Sequence, residues 1–432
     1  MSRIVASDIN QLRLVPSDPG CWLPANHQVK YFSEIVEQEL DTSEITGSRI
    51  RETHGRPSYD PLMLMKIVVY GYMVGLTSSR KIEQACIERL DFRYLTGGLT
   101  PSFSTITKFR SEKVDALAKL FPQIVSLALD YELVEMRDVA FDGTKMLANA
   151  SKHKAMSYER MCTLVQILHE EIEALKKEKR TASARRKKEI EEDLEFKRNR
   201  FARIQEARFA LEDQRMEETG EPPKEKDQRN FTDPESRIMK KGSSFEQCYN
   251  AQAAVDKGSQ IILAAFVTQA ANDKQQLEPL VQSTVGLVGI LPDRGLADAG
   301  YFSESVTETL KAKYKTAEWL ISPGRLKKDS ASEGPPRGRI PNDISTADLM
   351  RRKLRTKAGK AAYAQRKAIV EPAFGQIKEA NLEFRRFSFR GIKKVEAEWQ
   401  LVCATHNLLK IIRSRRSLMK SSDARQIRHQ AA

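Results

Sequence analysis

Three acidic residues stand far apart in the chain, each beside a segment that could position it at a shared site. They are Asp142 in VAFDGTKMLAN, Asp298 in LADAGYF and Glu371 in RKAIVEPAFGQIK. The apolar run before Asp142 is typical of a buried strand, which would place this residue at the tip of the strand. Carboxylates bind Mg²⁺, and bound divalent ions can act on phosphodiesters. If the fold brings the three acids together, they predict a metal site for nucleic-acid chemistry.

Two of these acids also have a simpler interpretation. An Asp-Gly pair between two apolar segments is the strongest short hairpin signal, so Asp142 could serve only as a turn residue. Glu371 could be a surface acid of a basic helix, and Pro372 should kink that helix or begin a new one. Local sequence alone therefore leaves open whether Asp142 and Glu371 are catalytic.

The composition favours a folded protein with a polyanionic partner. The chain has 432 residues, 40% of them apolar, which is enough for two or three domains with hydrophobic cores. Its 72 Lys and Arg exceed its 58 Asp and Glu, giving a net charge of +14. The pI near 9.4 indicates a polyanionic partner rather than a small acidic metabolite, although ribosomal and membrane-surface proteins share this charge balance.

The sequence predicts neither a membrane protein nor a cysteine-based site. The N-terminal residues lack the apolar core of an export signal, and the longest apolar run, at residues 62–76, is interrupted by Lys66. We therefore expect a cytoplasmic protein with a buried helix at this run. Five scattered cysteines without a CxxC pair indicate neither a zinc site nor a disulfide framework.

The elements that must position the acids begin with helices. From residue 29 to about residue 129 the apolar residues recur with helical spacing, which predicts an all-α N-terminal domain over residues 1–130. In the helix SFSTITKFRSEKVDAL, one set of side chains should pack inward and another face outward: Phe103, Ile106 and Phe109 against Ser102, Thr105, Lys108 and Arg110. The polar face suits either a DNA-reading helix or an ordinary amphipathic helix.

Strand-like segments alternate with helices beyond Val134. In order, these are the strand with Asp142, a charged helical insertion at 156–215, a hairpin, a helix, the strand with Asp298, a helix and a further strand. The alternation predicts an α/β fold with a mixed sheet and flanking helices. We expect the insertion to fold back near residues 181–184, because a single helix of that length would reach roughly 90 Å.

The C-terminal part is predicted to be basic and less regular. Residues 323–345, rich in Gly, Pro and Ser, are typical of a mobile loop. The segment RRFSFRG (385–391) interleaves Phe with Arg, which suits either a clamp on nucleic acid or a half-buried strand. Residues 399–412 predict an apolar closing helix, and residues 413–432 predict a basic, disordered tail.

Taken together, these features make the chain resemble the DDE transposases of bacterial insertion sequences, most closely the type-1182 group, which is related to the type-4 and type-5 transposases. The resemblance rests on motifs that occur in order between residues 31 and 410: GRPSYDPLMLMKIVVYGYMVGLTSSRKIEQA, FDGTKMLANASK, NFTDPESRIMKKGSSFEQCYNAQAAVD, LADAGYFSE, RKAIVEPAFGQIKEA, FRRFSFRG and EWQLVCATHNLLK. It implies an RNase H-like catalytic domain at residues 131–412, with two divalent ions, Mg²⁺ or Mn²⁺, bound by Asp142, Asp298 and Glu371. In such a site one ion activates water or a DNA 3′ hydroxyl, and the other stabilises the leaving oxygen.

The resemblance also implies contacts to DNA near the third acid. Related transposases share a signature in which Tyr, Arg, Glu and Lys follow one another, with two, three and six residues between them. Tyr363, Arg366, Glu371 and Lys378 follow this pattern, except that four residues separate Arg366 from Glu371. On a helix, Lys367 and Lys378 lie within about 40° of Glu371, whereas Arg366 lies about 140° away. Either Arg366 or Lys367 is therefore expected to contact the terminal phosphates.

The implied function is DNA transposition in the bacterial cytoplasm, in association with the nucleoid. The chain would bind the terminal inverted repeats of its own element as double-stranded DNA, pair the ends as a homo-oligomer, cleave them and join them to target DNA. End recognition is expected mainly from the N-terminal domain, including Lys108 and Arg110. Two alternatives remain: a domesticated relic that binds DNA without cutting, and a structure-specific nuclease of the same fold. Metal-dependent nicking confined to the element ends would distinguish them.

Overall fold

The computed structural model describes residues 18–47, 58–324, 338–341 and 343–430. Most of the loop expected at 323–345 lies outside these residues. Up to residue 130, the described part of the chain forms seven α-helices: α1 Gln28–Gln38, α2 Ser43–Thr46, α3 Pro61–Met73, α4 Ser79–Glu88, α5 Leu90–Thr96, α6 Phe103–Ala118 and α7 Leu120–Asp130. This is the helical region that the apolar spacing predicts.

Helix α3 is the centre of the N-terminal helices. Asp60 caps its first turn by accepting a hydrogen bond from the backbone N–H of Leu62, and every residue from 63 to 73 is buried. The one charged residue in this stretch, Lys66, donates to the Ser33 hydroxyl at 3.1 Å and pairs with Glu37. The buried helix expected here is therefore confirmed, and α1 supplies the partners that its lysine needs.

Helix α6 differs from the pattern expected for a DNA-reading helix. Ile106 and Phe109 are buried as expected, but Phe103 is 41% exposed and lies under the Arg80 guanidinium. The expectation that Arg110 faces solvent is wrong, because its side chain is buried against the C-terminal part of the chain. Lys108 is exposed, as expected.

Beyond residue 130 the described residues alternate strands and helices. The elements are β1 Asp138–Leu147, β2 Ala155–Ser157, α8 Tyr158–Thr181, α9 Ala184–Thr219, β3 Gln228–Asn230, β4 Arg237–Lys241, β5 Ser244–Asp256, β6 Ile262–Thr268, α10 Leu277–Val288, β7 Arg294–Ala297, α11 Glu304–Lys313, β8 Glu318–Ile321, α12 Thr346–Arg355, α13 Lys357–Gly375 and α14 Ile392–Gln430. A π-helical turn, Gln376–Ala380, follows α13.

The main sheet is mixed, as the alternation predicts. Strand β1 lies at its centre, antiparallel to β5 on one side and parallel to β7 on the other. Strand β8 continues the parallel side, while β4 and β6 both pair with β5 and extend the antiparallel side. The predicted hairpin corresponds to β5 and β6. Strand β4 falls in a region where no strand was predicted.

The charged insertion is a pair of helices packed against each other. Helices α8 and α9 turn between residues 181 and 184 and share buried apolar residues. Ion pairs such as Lys197 Nζ–Glu171 Oε2, at 2.6 Å, also join them. The expected fold-back is therefore present, although the turn contains neither Gly nor Pro.

Helix α14 connects the N-terminal helices to the sheet. The Asn407 side chain accepts from the backbone N–H of Ile262 and donates to its carbonyl, both at 2.8 Å, so α14 covers the edge of β6. The same helix packs against α3, α6 and α7. It continues to Gln430, so the expectation of a disordered tail from residue 413 is not what the structure describes.

Segment 385–391 lies beside the end of β1. Arg386 forms an isolated parallel bridge with Leu147, and the Phe387 N–H donates to the Leu147 carbonyl at 2.9 Å. Phe387 is buried, whereas Arg385 is exposed. Half of this segment therefore packs into the fold.

Among the described helices, none has the length and apolar character needed to cross a membrane.

The close packing of β7 against β8 gives a testable difference between two glycines. A Cβ on Gly295 would overlap the ring of Trp319, which is buried, so Gly295→Ala should lower the free energy of unfolding by about 1–3 kcal/mol. In α10, a Cβ on Gly286 would meet open space, so Gly286→Ala should raise stability by about 0.5–1 kcal/mol. Melting temperatures of the two variants would test this. Equal shifts would contradict the tight β7–β8 contact.

Candidate active site on two parallel strands

Asp142 and Asp298 are brought together by the register of β1 and β7. Phe141 pairs with Ala297 in this parallel ladder, and each aspartate is the next residue of its strand. Strand β7 ends there, whereas β1 runs on beside β5, with Asp142 opposite Ala253. Asp142 is therefore inside a strand, not at its tip. The alternative that it forms a hairpin turn is wrong, because β1 passes straight through the Asp-Gly pair.

A buried ion pair dominates the surroundings of Asp142. The Arg366 guanidinium on α13 lies with Nη1 3.1 Å from Asp142 Oδ2, and the side chains of Arg366 and Asp142 are 11% and 21% exposed. The pKa of Asp142 is raised to about 6: burial is the largest cause, the Arg366 charge opposes it, and the negative charges of Asp298 and Asp273 add to it. The three aspartates thus lie close enough to influence one another electrostatically.

The raised pKa of Asp142 predicts how stability depends on pH. In the folded chain Asp142 binds a proton below about pH 6, whereas in the unfolded chain its pKa is 3.8 and it binds the proton only at lower pH. Proton binding at Asp142 therefore stabilises the folded chain fully below pH 3.8, and this stabilisation is lost as the pH rises through about 6. We therefore expect the wild-type melting temperature to rise relative to that of Asp142→Asn as the pH falls from about 7 to about 4. Calorimetry in EDTA measures this, and a constant difference between the two proteins would contradict it.

Lys378 is the second basic residue that reaches β1. Its ammonium donates to the Thr144 hydroxyl, two residues beyond Asp142. Burial lowers the pKa of Lys378, and the nearby Lys241 lowers it further. Lys378 follows α13 within the π-helical turn, which changes the helical phase. This explains why two residues about 120° apart on a regular helix both face the sheet.

The remaining predicted residues of α13 lie around this pair. Tyr363 is half-buried, with its ring 6.0 Å from the Arg366 guanidinium carbon. Lys367 is exposed, so Arg366, not Lys367, faces Asp142 in this structure. The helical phase favoured Lys367 because the angles around the helix were measured from Glu371, which was assumed to face the sheet.

Glu371 is exposed on α13, between Arg366 and Lys378 in sequence. Its side chain makes no hydrogen bond or ion pair with any part of the chain that the structure describes. Pro372 lies inside α13 without ending it. Within the described ranges, no three His, Cys, Asp or Glu side chains come close enough to hold a metal ion as they stand. The structure therefore places two of the three predicted acids together.

Sequence reasoning missed Asp273, which lies between β6 and α10. Its Oδ1 accepts from the side-chain amides of Asn250 at 2.6 Å and Gln252 at 2.8 Å, and it lies 3.8 Å from Lys145 Nζ. The available signal was the pair of polar residues in CYNAQAAV. Two amides within a strand otherwise made of small and apolar residues need polar partners when they are buried.

Two segments of the chain match models of transposase families. Residues 18–112 match the transposase domain (DUF772), and residues 339–412 match the transposase DDE domain. Both matches are consistent with a DDE transposase of an insertion sequence. The group within this family stays a prediction. No curated protein and no solved structure gives a significant match.

The matched segments give the site a context. Proteins of this kind act on DNA, and DDE transposases use divalent metal ions. The second match contains α13, and hence Glu371, Arg366 and Lys378, while Asp142 and Asp298 lie between the two matches. The assignment of the two aspartates therefore depends on the geometry of β1 and β7 and on the resemblance of their motifs.

Proposed function

We propose that this transposase binds the terminal inverted repeats of an insertion sequence, pairs the two ends as a homo-oligomer, cleaves the DNA and joins the ends to target DNA. The observation that carries the proposal is the position of Asp142 and Asp298 side by side after paired residues of parallel strands, facing Arg366 and Lys378. Acids next to fixed cations suit a site that must hold both metal ions and phosphates.

The catalytic domain that we propose is RNase H-like. Its support is the mixed sheet with β1 at the centre, helices packed on it, and a helical insertion between the first strand and the hairpin of β5 and β6. Helices α1–α7 would form the domain that recognises the element ends, with the exposed Lys108 of α6 as a candidate phosphate contact. Arg110 is left out of this surface because it is buried.

The carboxylates of Asp142 and Asp298 fit divalent ions. Both aspartates offer hard oxygen ligands, which Mg²⁺ and Mn²⁺ prefer. Residue 300 is a glycine, and a Cβ there would stand only 3.0 Å from Asp298 Oδ1, so its absence keeps space open beside this carboxylate. We propose that Asp142, Asp298 and Glu371 hold two such ions. When bound, these ions would activate the attacking hydroxyl and stabilise the leaving oxygen.

The basic residues of α13 have separate roles in the proposal. Arg366 pairs with Asp142, and its guanidinium is also suited to bind a DNA phosphate. Lys378 supplies a second positive charge beside β1. Tyr363 restricts the position of Arg366, and the exposed Lys367 extends the basic surface toward DNA.

The test is nicking of a plasmid that carries the sequences flanking the gene, with Mg²⁺ or Mn²⁺, by the wild-type chain and by Asp298→Asn. The proposal expects nicks confined to the flanks, dependent on the metal and absent in the variant. Nicking independent of sequence would identify a structure-specific nuclease instead. DNA binding without nicking under either metal would identify a DNA-binding relic.

A further inference from the structure

Asp273 is an acid of the site that neither the sequence motifs nor the family pattern assigns. Its Oδ1 is engaged by Asn250 and Gln252, which come from the central part of β5. Gln252 in turn accepts a hydrogen bond from the buried hydroxyl of Tyr301, three residues after Asp298. Asp273 is therefore fixed in place by side chains that connect β5 with the end of β7.

The second oxygen of Asp273 faces an open space next to Asp298. Within the described residues, Oδ2 accepts no hydrogen bond. A Cβ on Gly300 would stand 3.5 Å from Asp273 Oδ2 and 3.0 Å from Asp298 Oδ1, so these two oxygens lie around one point that no side chain fills. Two carboxylate oxygens that share an open point are the beginning of a cation site, because hard cations bind several such oxygens.

Asn250 gives an independent indication of a ligand here. It is fully buried, and its Oδ1 has no hydrogen-bond partner. This oxygen points toward Gly143, where a Cβ would stand 3.1 Å from Asn250 Oδ1 and 2.8 Å from Asp273 Oδ1. A buried acceptor without a partner costs about 1–3 kcal/mol, which a bound cation or its water would offset. Gly143 thus lets these side chains approach the backbone closely, since a Cβ there would stand only 2.3 Å from Gln252 Nε2, and the open point lies on the Gly300 side of Asp273.

The charges of the site also favour a further acid. Arg366, Lys145 and Lys378 all lie near the aspartates, and Arg366 already pairs with Asp142. Two ions would add four further positive charges to these three. The carboxylates of Asp142, Asp298 and Glu371 would leave a large excess of positive charge, and the carboxylate of Asp273 reduces this excess.

We propose that Asp273 is a further metal-binding carboxylate of this transposase, which contacts a divalent cation through Oδ2 together with Asp298. The inference rests on the proposed function, because it assigns one more ligand to the same site. Asn250 and Gln252 then act as positioning residues that orient the Asp273 carboxylate.

The experiment is a calorimetric titration of the full chain with Mn²⁺ alone, without DNA. Asp273→Asn keeps a carbonyl oxygen that can accept from Asn250 and Gln252, but it removes the charge and the free oxygen. We expect its Mn²⁺ affinity to fall about 10–100-fold, with a similar or larger loss in Asp298→Asn. Asp293→Asn is the matched control, because this exposed acid precedes the other end of β7, and its affinity should equal that of the wild type.

The outcomes separate this inference from the proposed function. If Asp298→Asn and Asp142→Asn lose Mn²⁺ but Asp273→Asn binds it like the wild type, Asp273 is not a ligand and the proposed site stands without it. If none of these variants changes Mn²⁺ binding, the proposed metal site itself is wrong. Should Asp273→Asn fail to fold, Gly300→Ala serves instead, because its methyl group fills the open point while Asp273 keeps its bonds. Unchanged affinity in that folded variant would overturn the inference.

Discussion

Replacing Asp142 by asparagine is expected to lower DNA nicking by about a thousandfold or more, while DNA binding is retained. Asparagine keeps the shape of the side chain but removes the charge that would hold a metal ion. Loss of several kcal/mol of transition-state stabilisation corresponds to a rate decrease of this size. The measurement is single-turnover nicking of an end-containing DNA at saturating Mg²⁺, beside a gel-shift titration of the same DNA.

The control for this variant must separate chemistry from folding. Asp293→Asn changes an exposed acid before β7, at the end away from Asp298, and should nick like the wild type. Asp142→Asn also leaves Arg366 without its carboxylate partner, which tends to strengthen phosphate binding rather than weaken it. Nicking by Asp142→Asn within tenfold of the wild type would therefore remove Asp142 from the catalytic residues.

Much of the fold follows from local patterns in the sequence. Continuous apolar residues in α3 and the turn between β5 and β6 are short-range features, and each occurs where the pattern predicts it. The helical pair in the insertion follows from length alone. Such features need only the local spacing of side chains and the size of a domain.

The site could be predicted only in part, because its geometry depends on long-range register. That Asp142 and Asp298 are adjacent follows from the pairing of Phe141 with Ala297, which are 156 residues apart. Helical phase on its own selected Lys367 over Arg366, and the structure places Arg366 against Asp142. Asp273 has no motif of its own, and its importance becomes visible only when Asn250 and Gln252 are seen to bind it.

The same limitation explains the error at Arg110. Along α6, every polar residue outside the apolar stripe is assigned to the solvent face by periodicity. The residue that meets Arg110 is Glu398, which lies 288 positions further along the chain in α14. No local pattern shows that a fully buried acid stands there, so a buried cation and an exposed one have the same appearance in the sequence.

Arg110→Ala should therefore destabilise the chain strongly, by about 3–5 kcal/mol, since it leaves a buried charge without its partner. The Arg110 guanidinium lies 3.6 Å from Glu398 Oε1 and donates to the hydroxyls of Tyr72 at 2.5 Å and Ser388 at 2.8 Å. Glu398 is fully buried, and its second oxygen accepts from the Ser388 N–H at 2.8 Å. The group joins α3 and α6 to α14 and to segment 385–391, so its loss loosens the contact between the N-terminal helices and the sheet.

Lys108→Ala is the matched control, because it removes a cation from the same helix. Lys108 pairs with Glu112 at 3.9 Å, with both side chains largely exposed, and such pairs contribute about 0–1 kcal/mol. Melting temperatures of the two variants measure the difference in stability. DNA-binding titrations at several salt concentrations, at a temperature where both variants are folded, add a second comparison. In these titrations Lys108→Ala should reduce the salt dependence of the DNA affinity by about one phosphate contact. Arg110→Ala should leave this salt dependence unchanged. If the folded Arg110→Ala variant loses a phosphate contact while its stability stays that of the wild type, Arg110 binds DNA and is not part of the contact between the helices and the sheet.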